Sequence, residues 1–162
     1  MAVSYKPGEV FEMAIEIERR GVGFYEKAAS NAKSSEVKEL LNEMSKMEKK
    51  HEQTFIDMKA ELSQGESAVY DPDNETAYYL REVAAGKGWE GKASPGSELS
   101  GDESIEDILK IAIQAEKDSI EFYVGLKEVT DKESNKDKIE AIIKEEMTHV
   151  ATLKKALDDM AA

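Results

Sequence analysis

The sequence predicts an all-α protein, a four-helix bundle built from two helical hairpins that are joined by a long crossover. The 162 residues are rich in Glu, Lys, Ala and Leu and contain only three Pro, a composition that favours helices over sheets. Apolar residues recur at helical spacing in four long stretches. The first two stretches match the last two when the sequence is shifted by 98 residues, which indicates two related hairpins. We expect one domain over residues 1–162, because a chain of this length can bury a core without disulfides.

The first hairpin is predicted to contain helices over about residues 9–31 and 36–63. Ser34 or Ser35 is the predicted N-cap of the second helix, and the short break before that helix favours an antiparallel pair. Each helix has an apolar stripe. The stripes comprise Phe11, Ala14, Ile15, Val22, Tyr25 and Ala29, then Val37, Leu40, Leu41, Met44, Phe55, Met58 and Leu62. Glu18 interrupts the first stripe, and Glu48 and His51 interrupt the second.

The crossover, residues 64–103, differs in composition from the helices around it. It holds six of the ten Gly, two of the three Pro and the only Trp, Trp89. Residues 75–85 are predicted to form a short helix that Gly86 ends. Neither hairpin alone completes a bundle, so we interpret this segment as a crossover within one domain.

The second hairpin is predicted to contain helices over about residues 104–129 and 135–160. Ser104, with Asp107 three residues later, is a signal for the start of the third helix. The apolar stripes comprise Ile105, Ile108, Leu109, Ala112, Ile113, Ile120 and Tyr123, then Ile139, Ile142, Leu153, Leu157 and Met160. Glu116 interrupts the third stripe, and Glu146 and His149 interrupt the fourth.

The six interrupting residues occupy equivalent positions in the two hairpins. Each hairpin has one Glu followed 30 residues later by a Glu-x-x-His motif, and no other His occurs in the sequence. Residues three apart share a helix face, so each motif directs a carboxylate and an imidazole to one point. This is the ligand set of a dinuclear metal site in a four-helix bundle. The candidate ligands are Glu18, Glu48, His51, Glu116, Glu146 and His149.

A single Glu-x-x-His pair is usually solvated, and a single His on an apolar face is usually a core residue. The six residues together favour a metal site, because burying four uncompensated carboxylates destabilises the fold by several kcal/mol each. No Lys or Arg falls on the four stripes. Metal ions are the remaining way to balance this charge.

Other polar residues near the six have less specific signals. Tyr25 and Tyr123 lie two turns after Glu18 and Glu116 on the same faces. They are either core aromatics or catalytic residues whose hydroxyls bond a ligand carboxylate and donate an electron. Four acidic residues flank the candidate ligands but point off the stripes, so surface roles are expected for Glu16, Glu52, Glu121 and Glu145.

Composition excludes several classes of function. The absence of Cys excludes disulfides, iron–sulfur clusters and thiolate-bound zinc, and agrees with a cytoplasmic protein. A net charge of −13 argues against binding nucleic acid or an anionic membrane. No stretch is apolar enough to span a bilayer.

The ligand set also indicates the metal. Carboxylate-rich ligands with one imidazole per ion favour two Fe ions, with Mn possible.

The pattern of the six residues resembles the ferritin-like superfamily, most closely its rubrerythrin-type branch without a rubredoxin domain. The resemblance implies that Glu18 and Glu116 are terminal ligands, that Glu48 and Glu146 bridge both irons, and that each His binds one iron. Ser119 departs from this family, because rubrerythrins carry an extra ligand Glu there. Bacterioferritins match the symmetric ligand set, but Lys49 replaces their haem-binding Met and no fifth helix follows Met160. We therefore expect no haem.

The resemblance implies a di-iron oxidoreductase of peroxidase or ferroxidase type that reduces peroxide or O₂ with electrons from an external donor protein. The alternatives are an iron-storage protein that oxidises Fe²⁺, a manganese catalase-like protein, and a structural bundle that does not use the pattern. A homodimer is also expected. The aromatics Phe24, Phe122, Tyr78, Tyr79 and Trp89 are more than a four-helix core obviously absorbs, unless the crossover folds back over them.

Overall fold

The computed structural model describes residues 6–62, 73–84 and 99–162. Within these ranges the chain forms α1 (Pro7–Asn31), α2 (Ser35–Ala60), α3 (Glu75–Ala84), α4 (Ile105–Glu128) and α5 (Glu133–Ala161). Helix α1 packs mainly on α2, α4 packs mainly on α5, and α3 packs on α4. The predicted all-α bundle of two hairpins with a helix-bearing crossover is confirmed. The predicted positions of Gly86 and Trp89 lie outside the described residues.

The helix starts follow the predicted capping signals with one difference. The side chain of Ser34 accepts a hydrogen bond from Val37 N at 3.4 Å, and that of Ser104 accepts one from Asp107 N at 3.1 Å. Helix α5 begins at Glu133, earlier than the predicted residue 135, directly after an extended Lys132. The carboxylate of Glu133 in the first turn is favourable to the helix dipole. The prediction placed the helix start at the end of the polar break, but polar residues also form the first helical turn.

The buried side chains form two apolar clusters with a polar layer between them. One cluster contains Phe11, Phe55, Tyr123 and Ile139, and the other contains Phe24, Leu41, Leu109 and Leu153. On each of the four long helices, the candidate ligands lie between a segment that enters one cluster and a segment that enters the other. The apolar packing at both ends fixes the four helices around this layer.

Helix α3 docks closely on α4. A Cβ atom on Gly125 would lie 2.6 Å from Tyr79 Cε1, so only glycine permits this approach. The Tyr79 hydroxyl donates to the backbone oxygen of Glu121 at 2.7 Å. Leu80, Val83 and Ala84 consequently enter the core beside α4. The described helices include none that combines the length and the apolar character needed to cross a membrane.

Candidate metal centre

The six candidate ligands converge in the polar layer, and none has more than 5% of its surface exposed. Their donor atoms form two groups of four within the described residues, and in each group the atoms lie within 4.8 Å of one another. The first group comprises Glu18, Glu48, His51 and Glu146. The second group comprises Glu48, Glu116, Glu146 and His149. Glu48 and Glu146 belong to both groups, which is the position that a bridging carboxylate needs.

The distances place the shared carboxylates between the two imidazoles. Glu146 Oε1 lies 3.2 Å from His51 Nδ1, and Glu146 Oε2 lies 3.0 Å from His149 Nδ1. Glu48 Oε1 lies 3.9 Å from the first of these nitrogens and 3.5 Å from the second. The two rings stack with their centroids 5.8 Å apart. Each imidazole therefore directs Nδ1 toward the centre of the layer.

Several carboxylate oxygens and one imidazole nitrogen in this layer are buried and have no hydrogen-bond partner among the described residues. They are Glu18 Oε2, Glu48 Oε1, Glu116 Oε2, Glu146 Oε1 and His51 Nδ1. Buried polar atoms are almost always paired in folded proteins. In the described parts of the chain, the ion pairs of these four Glu are made with His51 and His149 alone. Lone pairs that converge in this way fit a pair of metal ions, so the residues present suit the implied cofactor.

The carboxyl groups are electrostatically destabilised when no metal balances them. Burial raises the pKa of Glu18 and Glu48, and a neighbouring carboxylate raises both further. Burial likewise raises the pKa of Glu116 to about 8. The pKa of Glu146 behaves differently: burial would raise it, but the hydrogen bond with His149 and the nearby imidazole of His51 lower it below its ordinary value. Three of the four carboxyls thus favour protonation in the metal-free protein.

The imidazoles are stabilised in the protonated form by the same carboxylates. Burial would lower the pKa of His51, but the nearby carboxylates of Glu146 and Glu18 outweigh this effect and raise the pKa to about 11. For His149, burial also acts to lower the pKa, and contacts with Glu116 and Glu146 raise it to about 9. Metal binding must displace these protons, so metal affinity should rise with pH.

The two tyrosines connect the hairpins through the candidate terminal ligands. The Tyr25 hydroxyl on α1 donates to Glu116 Oε1 on α4, and the Tyr123 hydroxyl on α4 donates to Glu18 Oε1 on α1. Each tyrosine therefore holds the glutamate of the other hairpin. Burial raises the pKa of both phenols, so they remain protonated donors. Their part in catalysis stays a prediction.

Glu145 corrects one prediction made from the sequence. We assigned this residue a surface role, and its side chain is 49% exposed, but its Oε2 lies 2.6 Å from His51 Nε2. A carboxylate at Nε2 accepts the ring proton and leaves the Nδ1 lone pair free for a metal. The equivalent position in the first hairpin is Met47, so repeat comparison gave no signal. The packing of α5 against α2 produces this contact.

We expect Glu145→Ala to weaken metal binding at one position of the centre. Loss of such a supporting hydrogen bond typically lowers metal affinity by about 10–100-fold, and here the loss should affect the group that contains His51. Titration with Mn²⁺ or Fe²⁺ should therefore show one ion weakened and the other retained. Glu140→Ala is the matched control on the same helix, because Glu140 pairs with Lys127 at the surface. Equal weakening of both ions would contradict this assignment.

Gly21 and Gly23 differ in what a side chain would meet. A Cβ atom on Gly21 would lie 2.6 Å from Glu48 Oε2, whereas one on Gly23 would have no atom of the described residues within 4 Å. Glycine within a helix lowers the stability of the helix by about 0.5–1 kcal/mol relative to alanine. The absence of a side chain at residue 21 therefore leaves room for a candidate bridging carboxylate.

Replacing each glycine with alanine should separate fold stability from metal binding. Gly23→Ala is expected to raise the melting temperature of the metal-free and metal-loaded proteins alike. Gly21→Ala should leave metal-free stability unchanged or higher, because the flexible carboxylate can move, but it should reduce the rise in melting temperature that Mn²⁺ produces. Melting curves of both variants with and without metal check this. Identical metal responses in the two variants would argue against the role of Gly21.

Comparisons with known proteins agree with the fold and the layer of ligands. The model of the rubrerythrin family matches residues 9–157. Among solved structures, the chain is similar to a Thermotoga maritima protein described as a ferritin-like diiron-carboxylate protein, with a TM-score of 0.70 and 23% sequence identity. The alignment covers 96% of this chain and 97% of that chain, and at this identity it supports the fold alone. No curated protein sequence matches.

Proposed function

Because this chain belongs to the rubrerythrin family, we propose that its Glu/His layer holds two iron ions and no haem, and that it reduces peroxide or dioxygen. A separate electron-donor protein would supply the electrons, and the reaction would remove peroxide in the cytoplasm. The observation that carries the proposal is the set of buried, unpartnered oxygens in two groups that share Glu48 and Glu146.

Iron bound in this layer would supply one-electron redox changes at two adjacent positions, which together match the two-electron reduction of an O–O bond. Glu48 and Glu146 would hold both ions, since each belongs to both groups. Glu18 and Glu116 would each hold one, with their other oxygens fixed by Tyr123 and Tyr25. This arrangement orients the ligands before metal arrives.

The surrounding residues bury the layer and supply protons nearby. The two apolar clusters exclude water above and below the ligands, and water exclusion strengthens the interaction of the carboxylates with a cation. The hydroxyls of Tyr25 and Tyr123 carry protons within hydrogen-bonding distance of the terminal carboxylates. These groups are positioned to hold or return a proton as the charge of the centre changes.

Stopped-flow mixing of the Fe²⁺-loaded protein with peroxide and with dioxygen tests the proposed reaction. We expect peroxide to oxidise the centre much faster than dioxygen does, with about two irons oxidised per chain. Oxidation of many more irons per chain would favour the storage protein. Rapid peroxide disproportionation by the Mn-loaded protein alone would favour the manganese catalase-like alternative. Oxidation by neither oxidant would overturn the proposal.

We also propose that the protein is a homodimer in which aromatic side chains of α3 lie at the interface. Phe24 and Phe122 are buried within one chain, so they need no partner. Tyr78 and Tyr79 on α3 remain 52% and 40% exposed, and they present an aromatic surface that a second copy can cover. Light scattering should give twice the mass of the 18.0 kDa chain. A mass of one chain at micromolar concentration would remove this proposal.

A further inference from the structure

A cavity of about 110 Å³ lies beside the candidate metal centre, where α1, α3 and α4 meet. Glu48, Glu116 and Tyr25 are among the residues that line it. The two carboxylates both belong to the group that contains His149. The cavity therefore lies next to that group of candidate ligands.

The opposite walls are mostly apolar. Ile17 and Phe24 of α1, Val83 and Ala84 of α3, and Phe122 of α4 contribute carbon surface to the cavity. Gly21 and Ser119 occupy equivalent positions in the two hairpins, and both line the cavity. Glycine and serine occupy little volume, so they leave space for a ligand. A ligand with a hydrocarbon body gains free energy here because it removes apolar surface from water.

Arg20, a cationic residue, also lines the cavity. Its Nη1 is buried and has no hydrogen-bond partner among the described residues, and its Nε lies 3.9 Å from Glu16, too far for a hydrogen bond. The equivalent residue of the second hairpin, Asp118, also lines the cavity. The two hairpins therefore carry side chains of opposite charge at this equivalent position. A buried N–H without an acceptor is costly, and an oxygen of a bound ligand would satisfy it.

The volume limits the size of that ligand. A cavity of about 150 Å³ holds benzene, so one of about 110 Å³ holds a molecule with about four or five non-hydrogen atoms. Hydrogen peroxide alone would leave most of the apolar wall without contacts. A short alkyl chain that carries an O–O group matches the size, the walls and the donor together.

We propose that this cavity binds small alkyl hydroperoxides, with Arg20 Nη1 donating a hydrogen bond to a peroxide oxygen and the apolar walls holding the alkyl group. The inference rests on the proposed function and names a substrate class for it. The reaction would be ROOH + 2e⁻ + 2H⁺ → ROH + H₂O. The O–O bond breaks, each oxygen gains a proton, and two molecules of a reduced one-electron carrier protein supply one electron each. Arg20 is a substrate-binding residue in this reaction and has no role in holding metal.

Binding can be measured without turnover in the zinc-loaded protein, because Zn²⁺ has no redox chemistry. Ethyl hydroperoxide should shift the NMR methyl signals of Ile17 and Val83 saturably, while the larger cumene hydroperoxide should not. Arg20→Met should weaken ethyl hydroperoxide binding about tenfold or more, since hydrogen bonds to charged groups are the strong ones. Arg19→Met is the control on the same helix, because Arg19 pairs with Glu16 and Glu52 outside the cavity. Equal binding by Arg20→Met and the unchanged protein would overturn the proposal.

A second variant tests the cavity itself without touching a candidate ligand. Ala84→Leu fills part of the space from α3 and should abolish ethyl hydroperoxide binding in the zinc-loaded protein. In the iron-loaded protein it should raise KM for ethyl hydroperoxide more than KM for hydrogen peroxide. Unchanged KM values for both would overturn the cavity assignment. If no peroxide oxidises the iron-loaded protein, the proposed function fails, whereas saturable shifts at Ile17 and Val83 would still support the binding site.

Discussion

Replacing Glu48 or Glu146 with alanine is expected to remove both metal ions from the protein. Each of these residues belongs to both groups of donor atoms, and the two oxygens of Glu146 lie near different imidazoles, at 3.2 Å and 3.0 Å. Loss of a shared carboxylate takes one donor from each ion and one negative charge from the layer. The metal content should fall from about two ions per chain to well below one, and oxidation by peroxide should be lost with it.

The histidine variants provide the contrast. His51→Ala and His149→Ala each remove a donor from one group only, so about one ion per chain should remain. Glu52→Ala serves as the surface control, because Glu52 pairs with Arg19. Metal analysis after gel filtration, together with circular dichroism to confirm folding, gives the counts. If the variants at Glu48 and Glu146 retain two tightly bound ions, the assignment of shared ligands is wrong.

The stability of the metal-free protein is expected to fall as pH rises, while that of the metal-loaded protein should not. Glu116 has its pKa raised from an ordinary 4.5 to about 8, so the folded state holds a proton that the unfolded state releases across this window. The protonated carboxyl group therefore contributes to the free energy of unfolding below pH 4.5. This contribution is lost as the pH rises from 4.5 through 8. His51 and His149 act in the same direction, since their pKa values rise to about 11 and about 9. The lowered pKa of Glu146 acts oppositely, but only at acid pH.

Metal ions replace these protons, so the difference in melting temperature between the metal-loaded and metal-free proteins should widen from pH 5.5 to pH 8.5. With free metal at about 100 times Kd, the gain is about 2.7 kcal/mol, or roughly 5–10 °C for a chain of this size. Calorimetric scans with and without Mn²⁺ at several pH values measure it. A difference that is independent of pH, or that narrows as pH rises, would show that the buried carboxyls do not control stability.

Much of the fold and of the site could be predicted because both depend on spacing along one helix. Four stripes with helical period define four helices, and a polar residue on such a stripe is conspicuous. Glu18 and Glu116 were found in this way, and their equivalent positions in the two hairpins strengthened the inference. The capping hydrogen bonds of Ser34 and Ser104 are also local, so they could be read from neighbouring residues.

The features that sequence reasoning missed depend on how one helix faces another. Glu145 lies one residue off the ligand stripe, yet the rotation of α5 against α2 brings it to His51. Arg20 lines a cavity only because α1, α3 and α4 leave space between them. Gly21 has a neighbour at residue 48 on another helix, and Gly23 has none. No periodic pattern within a single helix contains this information.

The crossed bonds of Tyr25 with Glu116 and of Tyr123 with Glu18 have a consequence for the origin of the chain. They are the contacts that a symmetric dimer of one ancestral hairpin would make, with the tyrosine of each copy serving the glutamate of the other. We infer that duplication and fusion of such a hairpin gave this chain, and that Glu145 opposite Met47 and Arg20 opposite Asp118 are differences acquired afterwards. They give two candidate metal positions with equivalent ligands different surroundings, which two identical chains related by symmetry cannot do.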